Sequence, residues 1–281
     1  MKVVDTKKEL TGLIEAYRNS NKTIGLVPTM GALHEGHLSL VQEANKICDI
    51  SIVTIFVNPT QFNDPEDLKR YPRTPDADLA LLESAGCDIV FMPSVEEVYP
   101  EKDTRQFQFG YIESIMEGAK RPGHFNGVAQ IVSKLFDMVQ PDKAFFGMKD
   151  FQQIAIIKNM VEQLKYNIEI VECPIIREDS GLALSSRNKL LGEEYKKNAP
   201  HIHAILKKAI NLAPEMSASD LKVWITGEIN KNPYLEVEYV EIVDAKTLQV
   251  VENWEEERKT VICVAVYAGK IRLIDNIVLE S

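Results

Sequence analysis

Short apolar runs interleaved with helix-period segments constrain this chain more than any other feature. The runs span residues 23–28, 50–57, 89–92, 143–146 and 168–173. They are continuous rather than alternating, which predicts strands covered on both faces. Between them, residues 38–47, 76–85, 128–139 and 151–164 read as helices. The last of these places Ile154, Ile157, Val161 and Leu164 on one face. Strand and helix in alternation predict an α/β parallel sheet with right-handed crossovers.

The pattern changes near Ile176. Residues 193–212 and 219–230 read as helices, followed by strand-like runs at 235–243, 259–267 and 271–279 rich in β-branched residues. Ala268-Gly269-Lys270 reads as a tight hairpin turn. This predicts a smaller C-terminal α+β domain with an antiparallel sheet. The expected division is 1–176 and 177–281, with the polar, flexible segment 177–188 connecting the two.

Charge and cysteine usage narrow the class. The formal charge of −10 over 281 residues does not suit a general nucleic-acid binder, which needs a basic face. Cys48, Cys87, Cys173 and Cys263 are far apart, lie in apolar settings and form no Cys-x-x-Cys pair. They read as buried free thiols in a reducing cytoplasm. No signal peptide is expected after Met1, and no apolar run approaches the roughly 18 residues of a membrane span.

The chemistry concentrates in a few segments. Pro28-Thr-Met-Gly-Ala-Leu-His34-Glu-Gly-His37 joins the first strand to the first helix, placing two histidines at a helix N-terminus. Such a junction attracts phosphate, and Gly31 and Gly36 allow close backbone approach. A zinc reading fails on spacing, since His-Glu-x-x-His sets its histidines four positions apart and here they are three apart. The bland reading is a pair of helix-cap histidines. Asn58 and Gln61 follow the second strand, either as ligand-orienting amides or as a simple Asn-Pro-Thr-Gln turn. Arg121-Pro-Gly-His124 is either a mobile flap or a surface loop. Gly147-Met148-Lys149-Asp150 opens a helix, where Lys149 can reach phosphate and Asp150 can hold ribose or cap the helix. Ser185-Ser186-Arg187 suits a triphosphate tail, or else is linker and N-cap.

Taken together, these segments resemble the pantothenate synthetase (pantoate–β-alanine ligase) family of the cytidylyltransferase-like superfamily. The matching pieces are 28–37, Phe56-Val-Asn-Pro-Thr-Gln-Phe62, Tyr71-Pro-Arg-Thr74, 121–125, 147–153 and 177–188. They cover the first domain and the junction, while the C-terminal domain matches mainly in size and pattern. His34-Glu-Gly-His37 corresponds to the HIGH signature, and Leu184-Ser-Ser-Arg187 stands where relatives carry a KMSKS-type loop. Leu184 replaces a Met found in some members, a volume-conserving change. Ala77-Asp78 stands where some members have two adjacent acids, so no metal or substrate role is carried over to that pair.

The resemblance implies a Rossmann-like nucleotide-binding domain and a two-step, ATP- and Mg²⁺-dependent ligation of pantoate to β-alanine through pantoyl adenylate. It implies that His34, His37 and Lys149 contact phosphates, with His37 as the proton donor, and that Ser185, Ser186 and Arg187 hold the outer phosphates. Met30, Met148 and Leu184 would line the ATP site, Gly147 and Asp150 would hold ribose, and Ile176 would pair with adenine. Gln61 and Gln153 would bind pantoate, with Gln61 also near β-alanine; Arg121 and His124 would sit on a flap. No protein ligand is assigned to the metal. The implied enzyme is a cytoplasmic homodimer with small-molecule substrates, no nucleic acid and no membrane. The rivals are a nucleotidyltransferase acting on a phosphate substrate, a tRNA-charging enzyme and a non-catalytic nucleotide sensor. Fold alone does not separate them.

Overall fold

The computed structural model describes residues 1–62, 65–254 and 259–279. The chain divides into two compact units, one of residues 1–148 and 153–174, the other of residues 149–152 and 175–281.

The first unit holds strands β1 (Lys2–Val4), β2 (Ile24–Thr29), β3 (Ile50–Ile55), β4 (Ile89–Phe91), β5 (Lys143–Gly147) and β6 (Glu169–Cys173). They form one sheet in the order β1-β4-β3-β2-β5-β6, every pairing parallel. Helices α1 (Lys7–Arg18), α2 (Glu35–Ile47), α3 (Pro65–Arg70), α4 (Pro75–Ser84), α5 (Val95–Val98), α6 (Met116–Lys120) and α7 (His124–Val139) precede β5, and α8 (Phe151–Leu164) follows it.

The largely apolar character of β2, β3 and β4 has a direct cause. Ile24 and Leu26 of β2, Ile50 and Ile52 of β3, and Ile89 and Phe91 of β4 pack into a core with α1, α7 and α8. Val27, Val53 and Val90, next in sequence after Leu26, Ile52 and Ile89, point the other way, into a core with Leu38, Val41 and Ala44 of α2 and Leu82 of α4. Successive side chains alternate faces and both faces are covered, so β2, β3 and β4 stay largely apolar, and the polar Ser51 and Thr54 of β3 are themselves fully buried. The chain runs outward from β2 through β3 to β4, then returns to β5 on the other side of β2. The order therefore reverses between β2 and β5, and open α/β sheets bind ligands outside the strand C-termini at such a point.

Some elements differ from expectation. The helix predicted from 128 begins at His124, and the helix predicted from 38 begins at Glu35. β1 and α1 lie outside the predicted elements; β1 is only three residues long and pairs with β4 alone.

The second unit carries α9 (Glu193–Asn198), α10 (His201–Leu212) and α11 (Ala218–Asn230), then β7 (Leu235–Asp244), β8 (Thr260–Ala268) and β9 (Ile271–Leu279) in an antiparallel sheet of order β7-β8-β9. The predicted helix over 193–212 is broken at Ala199-Pro200, because proline has no amide hydrogen to continue the ladder. Ile202, Ile205 and Leu206 of α10 and Leu221 and Ile225 of α11 pack on Ile262, Val264 and Val266 of β8. Gly269 turns the predicted hairpin at φ 62°. Among the described residues, no helix is long and apolar enough to cross a membrane.

Candidate active site

The turn from β2 to α2 lies at the sheet's reversal point. Thr29 begins it, with Oγ1 donating to Thr54 O (2.7 Å) and accepting from Gly31 N (3.2 Å). Gly31 and Ala32 both take left-handed backbone, at φ 79° and 49°. Glycine adopts this freely, but alanine does so only when its surroundings hold it there. Asp78, 2% exposed on α4, supplies that hold: Oδ2 accepts from Ala32 N at 2.9 Å and Oδ1 from Leu33 N at 2.8 Å. Thr74 Oγ1 donates to the same Oδ1 at 3.1 Å. A carboxylate accepting two amides and a hydroxyl in a buried setting fixes the turn strongly.

That turn delivers His34 as the N-cap of α2, its Nδ1 accepting from Gly36 N at 3.2 Å. An accepting Nδ1 leaves the proton of the neutral ring on Nε2. His37 follows, and the two rings lie 4.1 Å apart between centroids, tilted by 37°. Two imidazoles beside the first amides of a helix form a site suited to an anion. The sequence places both residues correctly but not the clamp behind them: Asp78 lies 45 residues from Leu33, and no local pattern links them.

Gln61 closes the other side of the first unit's site. A short helical turn, Pro59–Gln61, follows Asn58, whose side chain caps it. Asn58 is 1% exposed. Its Nδ2 donates to Gln61 Oε1 and to Gly127 O, both at 3.1 Å, and its Oδ1 accepts from Tyr99 Oη at 2.8 Å. Gln61 Nε2 lies 3.1 Å from Met30 Sδ, so the turn after β2 and the turn after β3 meet through this amide. With its oxygen held by Asn58, Gln61 presents N–H donors, which suit a carboxylate or hydroxyl oxygen. Tyr99, absent from the sequence reading, is the residue that orients Asn58.

His124 is buried at the start of α7, and its Nδ1 lies 2.9 Å from Gln61 O. Its Nε2 is 3.3 Å from Arg121 Nη1, and Arg121 lies 3.9 Å from Glu117. The structure thus places His124 in a helix wall behind Gln61 rather than in the predicted loop. Gly127 explains the close fit: a Cβ there would lie 2.3 Å from Thr60 O. Gly147 ends β5, beside β2, and Gln153 is half-buried on α8.

In the second unit, Lys149 Nζ lies 3.1 Å from Asp150 Oδ2. Ser185 caps a short helical turn, Ser186–Leu190, by accepting from Arg187 N at 3.2 Å. The 177–188 segment, expected to be a flexible connector, is instead cross-linked. Leu184 N donates to Ile176 O, Glu178 N to Leu182 O, and Asn188 Nδ2 to Ala183 O at 3.0 Å. Arg177 and Ala183 form an isolated antiparallel bridge. Among the described residues, no group of three or more His, Cys, Asp or Glu side chains is arranged to hold a metal. Both Asp78 oxygens are engaged by main-chain amides of the turn.

Comparison with known proteins fits these features. The family model described as pantoate-beta-alanine ligase matches residues 2–278. Pantothenate synthetase of Porphyromonas gingivalis is 56% identical over 281 residues, covering all of both chains, and that of Bacteroides thetaiotaomicron is 53% identical over 277 residues, covering 99% of this chain and 98% of the other. A crystal structure of the pantoate-beta-alanine ligase (pantothenate synthetase) of Thermus thermophilus superimposes with a TM-score of 0.93 at 40% identity, covering 100% of both chains. The Francisella tularensis pantoate-beta-alanine ligase, solved with beta-gamma ATP and beta-alanine, gives 0.82 at 35% identity, covering 100% of this chain and 98% of that one. These full-length matches show the family: the chain belongs to the pantoate–β-alanine ligase family of enzymes.

Proposed function

We propose that this enzyme condenses pantoate with β-alanine in two steps through pantoyl adenylate. In the first, a carboxylate oxygen of pantoate attacks the α-phosphorus of ATP and pyrophosphate leaves. In the second, the β-alanine amine attacks the acyl carbon, the C–N bond forms, the amine loses a proton, and AMP departs with the former carboxylate oxygen. A free carboxylate is a poor acylating agent, and adenylation supplies the leaving group. In-line transfer then needs positioning and charge stabilisation rather than a protein nucleophile.

The observation that carries this reading is the clamped turn that sets His34 and His37 at the α2 N-terminus. Donors held rigidly where phosphate charge develops need no reorganisation during the reaction. His34 donates from Nε2, and His37 is the proton donor to the departing phosphate. Lys149 contacts phosphate as the two histidines do, and Ser185, Ser186 and Arg187 hold the outer phosphates, with Met30, Met148 and Leu184 along the nucleotide. Gly147 and Asp150 hold ribose, and Ile176 meets adenine through its main chain. Gln61 and Gln153 orient pantoate, and Gln61 also lies near β-alanine. Arg121 supports the Gln61 wall through His124. Magnesium would come with ATP and would neutralise phosphate charge, with few protein ligands. A cytoplasmic homodimer is the assembly that the family resemblance supports.

The test is pyrophosphate release measured with each substrate omitted in turn. Release that requires ATP and pantoate but not β-alanine is expected; release without pantoate contradicts the reading.

A further inference from the structure

Behind the phosphate-binding loop of the second unit stands an ion pair that the mechanism above does not use, its carboxylate buried and its guanidinium mostly so. Arg177 Nη1 and Nη2 donate to Asp275 Oδ2 and Oδ1 at 2.7 and 2.8 Å, two parallel hydrogen bonds. Asp275 lies on β9 and is 5% exposed. The same guanidinium donates to Gly181 O at 3.2 Å and reaches Asn276 O at 3.4 Å. Asn276, 3% exposed, donates from Nδ2 to Lys149 O at 3.1 Å. Two neighbouring residues of one strand therefore grip both the loop leading to Ser185–Arg187 and the main chain of Lys149.

We propose that Asp275, with Asn276 beside it, is a positioning residue for phosphate transfer: through Arg177 and the Lys149 carbonyl it sets the second unit's phosphate-binding groups in one register. The inference rests on the ligase reading above. A purely stabilising role explains the pair poorly. Taking two charges out of water offsets most of their attraction, so apolar residues of similar size usually stabilise as much or more. What apolar residues do not supply is the planar, two-point geometry of guanidinium on carboxylate. That geometry matters only if something on the loop must be held in place. Ser185, Ser186 and Arg187 follow within the same hydrogen-bonded segment, where Asn188 ties back to Ala183 O and to Glu178 Oε1. His203, with Nδ1 4.0 Å from Asp275 Oδ2, is held below its ordinary pKa by burial and by Arg177, so the guanidinium is the carboxylate's cationic partner at neutral pH.

The experiment separates the two half-reactions. Pantoate-dependent exchange of labelled pyrophosphate into ATP reads the first, and β-alanine-dependent AMP release from supplied pantoyl adenylate reads the second. Asp275→Asn keeps shape and loses charge; Arg177→Lys keeps charge and loses the two-point contact. Both should slow exchange by about 30- to 100-fold, the scale of a small misplacement of reacting groups. Aminolysis should stay within about threefold of wild type, because the adenylate no longer needs its triphosphate held. Exchange within about threefold of wild type in either variant overturns the proposal. So does an equal loss in both half-reactions with a lowered Tm, which is what a merely structural pair gives. If one variant does not fold, the other decides. Wild-type enzyme that shows no pantoate-dependent exchange would instead refute the ligase reading itself.

Discussion

Replacing Asp78 with Ala should damage catalysis from behind the site. Its two oxygens accept Ala32 N, Leu33 N and Thr74 Oγ1, and it is 2% exposed. Removing it strands two buried amides, each costing about 1–3 kcal/mol, and frees a turn in which Ala32 sits at φ 49°. The expected loss is about 3–5 kcal/mol, or roughly 6–20 °C in Tm for a unit of this size. Asp78→Asn keeps the shape but sets an NH₂ group against one amide hydrogen, and should cost about 2–3 kcal/mol. His34 follows two residues after Ala32, so the loss extends to the histidine pair. Pyrophosphate release should fall on the order of 100-fold, the scale of an ~1 Å displacement. Differential scanning fluorimetry and a coupled pyrophosphate assay measure both. A Tm within a degree of wild type together with a near-normal rate would refute the clamp.

Gly127→Ala would push a methyl to 2.3 Å from Thr60 O and 2.6 Å from Gln61 Cα, so pantoate binding should weaken far more than ATP binding; equal affinity losses in calorimetry would count against this. Burial pushes the Cys87 and Cys173 thiols up to about 11, which leaves about one thiolate in a thousand at pH 8. Native enzyme should resist thiol reagents at both positions while urea-unfolded enzyme reacts, and fast labelling of either in the folded state contradicts it. His203 is held below 6.5, first by burial and then by Arg177. The unfolded chain therefore takes up this proton more readily, so stability from this site is intact above pH 6.5 and falls as pH drops below it. His203→Gln should flatten the acid limb of a Tm-against-pH curve, and an unchanged slope refutes the assignment.

Much of the first unit is legible in the sequence because its physics is local. Continuous apolar strands announce two covered faces, and a strand running into His34-Glu-Gly-His37 announces a helix N-terminus. β1 escapes because three residues with one buried side chain carry no period. The helical period runs straight through Pro200, and only the proline itself signals the break there. The supporting residues are not readable in isolation. Asp78, Tyr99 and Asp275 act on partners 41 to 98 residues away, and such pairings exist only once the sheet and loops are assembled. The 177–188 segment misleads for the same reason: its polar composition suggests flexibility, while its hydrogen bonds close within the loop and onto β9.

The central claim is that pantoate's carboxylate oxygen bonds to the α-phosphorus. Pantoate labelled with ¹⁸O in both carboxylate oxygens tests it directly, with AMP and pantothenate weighed by mass spectrometry after one turnover. One label in the AMP phosphate and one in the pantothenate amide carbonyl is the predicted result. Unlabelled AMP, or label appearing in inorganic phosphate alongside ADP, would contradict it.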